Sequence, residues 1–491
     1  MKFTAEHLAR MLLESGSRSG PLHRQLSEGI QELIELGELP PEALLPSERA
    51  LADAMTVSRT TVVTAYRSLC SDGRLIRRQG SGTRVCPPHL RSGERETVSS
   101  PMLSGDHSGS AFLSPRLGTV DFSTAALPCL PLVSEVAAGL TRTDYLALGA
   151  EHHGYHPRGL PALRESVARW YARVGVPTTA EQILITSGAQ QALELITHGC
   201  LAPGDGVVAE APTYRGALEA FRLAHARIQT VPADDHGMVV ERLEQLIAQR
   251  PPRLVYAQST VQNPTGTVLA DGRRHKLARL AERHPVIVVD DTALSGTLLE
   301  GSQPVPLAGL TDSERLLTIG SMSKLYWGGL RIGWIRGNAE VVGRLAQMKG
   351  ITDLGTSLIS QQIAVHLLER VEEAQAARRD QLRAGLDTLS ALLGEFLPDW
   401  TWSLPRGGPS LWVRTPTSSI TNLGHVALRY GVVIAPGTAF GYGGGIDDHT
   451  RLPYVLPAPV LRAGIQRLAR AWESFTDGAR VAPVPVASIT T

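Results

Sequence analysis

One amine, set among small hydroxyl residues, is the group in this sequence best placed to do covalent chemistry. Lys324 follows Ser321-Met322-Ser323, with Arg331 seven positions on and Gly328, Gly329 and Gly333 close by. An amine held in this way can form a Schiff base with an aldehyde, and the hydroxyls and the guanidinium suit an anion. Four more groups have comparable potential. Thr186-Ser187-Gly188-Ala189-Gln190-Gln191 is a small-residue turn whose free N–H groups and helix dipole would hold a phosphate. Tyr214, after Glu210-Ala211-Pro212-Thr213, offers an aromatic face. Asn263 sits on the rigid turn Gln262-Asn263-Pro264-Thr265-Gly266. Asp290 and Asp291 end an apolar run and offer a carboxylate to a ring N–H⁺.

Each group follows a short apolar run. The runs at 183–185, 207–209, 254–256, 286–289 and 316–319 alternate with segments of helical period at 189–201, 213–224, 239–248 and 273–283. Such alternation predicts an α/β domain with a mostly parallel sheet covered on both faces. Ligands in such sheets sit outside the carboxyl ends of the strands, where these groups fall. Taken singly, a glycine turn is usually only a turn, and a strand-end aspartate often caps a helix. In this order they supply a phosphate cradle, a stacking ring, a donor to a phenolate oxygen, a pyridinium partner and a Schiff-base amine, the set that pyridoxal phosphate requires.

The first ninety residues read differently. Leu22, Leu26, Ile30, Leu33 and Ile34 keep helical spacing after Pro21. Ser47 is placed to cap a second helix, and a third runs from Ser58 to about Ser71. Residues 74–77 and 83–86 read as short strands around Gln79-Gly80-Ser81-Gly82, giving a helix-turn-helix with a wing. Residues 49–84 carry seven arginines against Asp53 and Asp72, whereas residues 1–48 carry four basic and eight acidic residues. The positive charge therefore gathers on the turn, third helix and wing, where DNA phosphates would lie. A small helical domain with a solvated arginine face is the plainer alternative.

The totals bound the rest. A chain of 491 residues, 43% hydrophobic and 19% charged, suits two or three globular domains, and its net charge of +1 points to no global partner. Cys70, Cys86, Cys129 and Cys200 form no disulfide framework or zinc spacing. The N-terminus is unlike a signal peptide and no apolar run spans a bilayer, so a cytoplasmic protein without a membrane partner or a bound metal is expected. Residues 87–117, rich in Ser, Gly and Pro, predict a flexible linker, and residues 481–491 a disordered tail. The expected division is 1–86, 87–117, 118–480 and 481–491.

Leu45-Pro46-Ser47-Glu48-Arg49, Val57-Ser58-Arg59, Thr61-Val62, Ala65-Tyr66 and Leu69 carry a pattern that resembles the winged helix-turn-helix of GntR-type bacterial regulators. By that resemblance Arg49, Ser58, Arg59 and Thr61 contact double-stranded operator DNA, with Gln79 and Gly80 at the wing tip. One family arginine falls on Val63, which implies weaker affinity or a different operator. From about Val120 to Trp472 the chain resembles the fold-type I aminotransferases, as fused to such a head in MocR-type regulators.

The aminotransferase resemblance implies roles residue by residue. Tyr155, in Gly154-Tyr155-His156-Pro157-Arg158-Gly159, would reach the cofactor phosphate of a partner subunit, so a homodimer is expected. Gly188, Ala189, Gln190, Ser321, Ser323 and Arg331 would bind phosphate within their own subunit. Tyr214 would stack on the ring, Asn263 would bond its 3-oxygen, Asp290 (chosen over Asp291 by spacing) would charge its nitrogen, and Lys324 would form the Schiff base. Arg451 would fork onto the carboxylate of an amine or amino-acid effector. Thr292 stands where the family usually has a tyrosine on the same 3-oxygen, and Pro453 where it tends to have glycine. The function so implied is a regulator that senses pyridoxal phosphate or such an effector. The alternative is a working aminotransferase with an accessory DNA-binding head.

Overall fold

In the computed structural model the chain divides into two compact units, residues 1–106 and 107–491. Residues 3–14, 22–35, 38–40, 43–71, 74–78, 82–86, 118–150 and 153–480 are described. The expected linker, the tail, and Gln79 and Gly80 at the wing tip lie outside them.

The first unit consists of α1 (Ala5–Glu14), α2 (Leu22–Glu35), α3 (Glu48–Met55), α4 (Arg59–Ser71) and the antiparallel pair β1 (Leu75–Arg78) and β2 (Gly82–Val85). Ser47 caps α3 by accepting the Ala50 N–H at 3.3 Å. Thr56 ends that helix in the left-handed conformation, φ +57°, and its N–H returns to Ala52 and Asp53. This makes the tight turn before α4, at the cost a β-branched residue bears there. Ser58 accepts the Thr61 N–H at 3.1 Å and so caps α4. Leu8, Ile30, Leu51, Val62 and Tyr66 meet in one core. Helix α1, an addition to the expected three, buries Leu8 and Leu12 in that core. Residues 43–45 pair with β2, through Leu45 N–H to Thr83 O and Val85 N–H to Ala43 O.

The second unit begins with β3 (Val120–Asp121), α5 (Pro131–Gly139), α6 (Arg142–Ala150) and α7 (Pro161–Arg173). Its central elements are β4 (Ile183–Thr186), α8 (Ala189–Cys200), β5 (Gly206–Ala211), α9 (Arg215–Leu223), β6 (Arg227–Asp234) and β7 (Gly237–Met238). They continue as α10 (Val240–Gln249), β8 (Leu254–Ala257), α11 (Asp271–Arg283), β9 (Ile287–Asp291), β10 (Leu316–Ser321) and β11 (Gly333–Arg336). The C-terminal part holds α12 (Ala339–Thr352), α13 (Leu358–Leu367), α14 (Val371–Phe396), β12 (Thr401–Trp402) and β13 (Ser410–Arg414). It closes with α15 (Ile420–Arg429), β14 (Val432–Val433), β15 (Ala435–Pro436), β16 (His449–Pro453) and α16 (Ala458–Arg480).

Eight strands form the main sheet in the order β4-β11-β10-β9-β8-β5-β6-β7. Strands β10, β9, β8, β5 and β6 run parallel, while β11 is antiparallel to both β10 and β4, and β7 to β6. All five runs expected as strands lie in this sheet. The antiparallel β11 was not expected, and it wedges between β4 and β10. It brings Arg331, just before it, beside the turn after β4. Alternate residues of β9 feed two cores: Val288 packs with α7, α10, α11 and α13, and Val289 with α8, α9 and α12. A third core joins α14, α15 and α16 to the sheet β12-β13-β16-β15.

Candidate cofactor and effector site

The site lies at the carboxyl ends of β4, β8, β9 and β10, on the face covered by α8 and α9. Thr186 ends β4, and Gly188 then takes φ +93° and ψ 172° before α8 begins at Ala189. Only glycine is at ease in that backbone region. A Cβ on Gly188 would also stand 3.0 Å from an Arg331 nitrogen, and one on Gly333 would stand 2.7 Å from the Gly188 carbonyl carbon. Arg331 donates to the Ser187 carbonyl and locks the turn from the β11 side. From the helix side, Gln191 accepts the Ser187 N–H at 2.8 Å. The first N–H groups of α8 have no partner within their helix, so the turn is a built anion cradle. Ser321 accepts the Ser323 N–H at 3.1 Å at the end of β10, two strands from β4.

Tyr214 precedes α9, and its hydroxyl donates to Gln190 at 3.0 Å, which fixes the ring over the cradle. Lys324 Nζ donates to the Ala125 carbonyl at 3.0 Å. Burial brings this amine down to about 8, and the charges of Arg451 and Arg378 act in the same direction. Arg451 donates to Ser123 O at 2.7 Å and to Asn263 Oδ1 at 3.3 Å, with its guanidinium 4.9 Å from the Phe440 ring centre. Its Nε is buried without a partner, as is the hydroxyl of Ser123. A buried guanidinium with an orphan donor is an open hand for a carboxylate.

Two expectations need correction. Asp290 does not face this site. It lies on the Val288 face, where its carboxylate accepts the N–H groups of Ser259 at 3.3 Å and Leu307 at 3.1 Å. There it sits beside the buried Arg274 and ties two loops together. Asp291, one residue on, takes the Val289 face with α8 and α9. It accepts from the Tyr256 hydroxyl at 2.6 Å and from the Ala293 N–H at 3.0 Å, and its charge acts on Tyr214. Burial raises both carboxyls. Asp291, not Asp290, is thus the carboxylate on the face shared with Val289 and Tyr214. Thr292 returns to the Asp290 face, and its hydroxyl donates to Ile319 O at 2.7 Å. It cannot stand in for a phenol reaching the cofactor, and it says nothing about cofactor tuning.

Arg378 carries no motif and was missed. It is fully buried on α14, and its guanidinium donates to the carbonyls of Leu325 at 2.9 Å, Tyr326 at 2.8 Å and Pro128 at 3.0 Å. It thereby fixes the chain on either side of the Lys324 amine's approach. Tyr155 is 58% exposed, and its N–H donates to His153 Nδ1 at 3.1 Å. In the first unit Arg49, Ser58 and Arg59 are exposed and Thr61 half-buried, with Arg49 at the start of α3 and the other three at the turn and the start of α4.

Residues 123–468 match the aminotransferase class I and II family, and residues 22–85 match the gntR family of bacterial regulatory proteins. The HTH-type transcriptional regulator YisV of Bacillus subtilis is 31% identical, over 88% of this chain and 92% of that protein. The chain belongs to the MocR-type GntR regulators. The probable rhizopine catabolism regulatory protein MocR of Rhizobium meliloti is 31% identical over 66% of this chain and 67% of its own. LysN, the α-aminoadipate aminotransferase of Thermus thermophilus, solved with N-(5'-phosphopyridoxyl)-L-leucine, matches with a TM-score of 0.67 at 29% identity. That match spans 74% of this chain and 94% of LysN. The kynurenine aminotransferase of Pyrococcus horikoshii matches with a TM-score of 0.69 at 28% identity, over 77% and 97%. Pyridoxal phosphate is the cofactor of this aminotransferase family. No helix among the described residues is long and apolar enough to cross a membrane.

Proposed function

We propose that this MocR-type regulator reads operator DNA through Arg49, Ser58, Arg59 and Thr61, and couples that binding to pyridoxal phosphate and an amine or amino acid held by the body. The observation that carries the reading is one chain holding a helix-turn-helix head with a paired β1–β2 together with a buried amine, an anion cradle and an orphan guanidinium. The donor set fits the cofactor. The α8 N-terminus, Ser321, Ser323 and Arg331 would bind its phosphate, and Tyr214 would stack on its ring. Asn263 would bond its 3-oxygen, and Asp291 would keep its nitrogen charged. When bound, the cofactor supplies an aldehyde that captures amines and a ring that withdraws electrons.

The chain's own groups do the rest. Desolvation leaves a useful fraction of Lys324 neutral and nucleophilic near neutral pH. Arg378 and the Ala125 carbonyl orient that amine. Arg451 takes the effector carboxylate, and its need for a partner favours the liganded form. An effector acts only through differential affinity for two states of the body, and such a shift would change how the paired heads meet a repeated operator in the cytoplasm.

A homodimer is part of the proposal. Ile351, Leu354 and Ile359 are exposed at 88%, 49% and 55%, and Gly350 and Gly355 bring their segment against Pro157 and His156, next to Tyr155. That apolar patch also adjoins the cradle, since Ser187 and Thr356 hydroxyls lie 3.2 Å apart.

The test is operator binding by the full chain with and without pyridoxal phosphate and candidate amino acids. Lys324→Ala should abolish the cofactor's protein-bound absorbance and the effector response, yet leave basal operator binding. An unchanged spectrum or an unchanged response would sink the assignment. The catalytic alternative keeps some support in the retained Lys324 and Arg451. Robust turnover of amino and keto acids, without operator binding, would favour it.

A further inference from the structure

A buried ammonium on α12 has no part in the groups described so far. Lys349 has no exposed surface. Its Nζ donates to the two carboxylate oxygens of Asp353 at 2.7 and 2.6 Å, and to Gln191 Oε1 at 3.1 Å. Gln191 Oε1 also accepts the Ser187 N–H at 2.8 Å, and Gln191 Nε2 donates to Asp353 at 2.6 Å. The carboxylate decides which end of the amide faces it, because an amide oxygen has no proton to offer there. Lys349 and Asp353 together therefore turn the Gln191 oxygen toward Ser187.

The turn so held is the anion cradle. Ser187 is gripped at three polar groups: its N–H by Gln191, its carbonyl by Arg331, and its hydroxyl, which lies 3.2 Å from that of Thr356. Two of these grips lead to the single segment Lys349–Thr356. Within it Asp353 also accepts the Gly355 N–H at 3.0 Å, beside Leu354 at φ +61°, a conformation that a bulky side chain seldom adopts. Desolvating an ion pair is costly, and apolar residues of similar volume often replace such a pair with no loss of stability. A methionine at 349 could fill the same space. It could not hold the Gln191 oxygen toward Ser187.

We propose that Gln191, set by Lys349 and Asp353, is a positioning residue for the cofactor phosphate. The three side chains act through the turn rather than on the anion. They fix the backbone at Ser187 and Gly188, so that the N–H groups at the start of α8 converge on one point. This rests on the reading of that turn as the phosphate cradle, and it extends the site to a buried ion pair on another helix.

The experiment titrates the full-length, cofactor-free protein with pyridoxal phosphate and, separately, with pyridoxal, following the Lys324-dependent absorbance band. Pyridoxal offers the same aldehyde and ring without the phosphate, so the ratio of the two affinities isolates the cradle. Gln191→Met leaves the Lys349–Asp353 pair intact and should cut that ratio about 2–12-fold, the effect of one lost hydrogen bond. Lys349→Met should cut it as well, and the double variant should do no more than Gln191→Met alone, because both act through one oxygen. Equal losses for the two probes in Gln191→Met would overturn the proposal, since a merely structural role weakens both alike. An unchanged ratio would overturn it too, as would fully additive effects in the double variant. Gln191→Met decides the point by itself if Lys349→Met does not fold with Asp353 left without its cation. Failure of the underlying reading looks different: the wild type would bind the two probes equally, whereas failure of this proposal leaves the wild-type preference in place.

Discussion

The rate at which Lys324 captures pyridoxal phosphate should bend with pH near 8. An ordinary lysine titrates at 10.5, and burial, followed by Arg451 and Arg378, brings this one to about 8. At pH 7 about a tenth of the amine is then neutral, about 300 times the fraction an exposed lysine offers. The neutral amine is the nucleophile, so attachment should speed about tenfold per pH unit up to about pH 8 and then level off. Stopped-flow absorbance on the cofactor-free protein, from pH 6 to 10, reads this directly, with Lys324→Ala as the blank. Arg451→Gln removes the larger of the two like charges and should move the bend upward. A rate still climbing tenfold per unit between pH 8.5 and 10 would refute the argument that burial governs this amine. An unmoved bend in Arg451→Gln would refute the like-charge contribution. The same shift fixes the sign of a stability effect. The folded protein resists charging Lys324, so its stability should rise with pH between about 8 and 10.5, by at most about 3 kcal/mol.

Three further outcomes are expected. Asp290→Asn leaves a buried N–H facing an amide group and should lower stability by about 1–3 kcal/mol with the cofactor spectrum intact. Asp291→Asn should instead shift the bound cofactor's absorbance, and the reverse pattern in the pair would reinstate Asp290 at the ring. Ile351→Glu, at an 88% exposed apolar position, should convert a dimer to monomers in sedimentation velocity. An unaltered dimer would place the interface elsewhere. Arg59→Ala should weaken operator binding about 10–100-fold, from about 1–3 kcal/mol of lost base contact, as read by electrophoretic mobility shift. Undiminished affinity would move the reading head off the start of α4.

The sequence by itself determined what is local and periodic. Helical spacing and the Ser47 cap specify the head, and its arginines gather on the turn, the third helix and the residues that follow. Apolar runs of strand length specify the parallel part of the sheet, and the turns that follow them mark where Gly188, Tyr214, Asn263 and Lys324 must gather. The tertiary structure decided what depends on which side of the sheet a residue takes. The run ending at Asp290 and Asp291 is buried on both faces, so it shows no alternation from which a face could be read. One residue then exchanges every side chain between faces, which is why spacing selected Asp290 where the fold presents Asp291, and why Thr292 looked like a departure in the cofactor pocket. Arg378 was invisible for a related reason. It is an ordinary arginine on a helix until α14 sets it against the Lys324 loop. Such long-range juxtaposition leaves no trace in local spacing. The antiparallel β11 belongs with them, because a four-residue strand after a glycine turn gains its place only from β4 and β10 on either side.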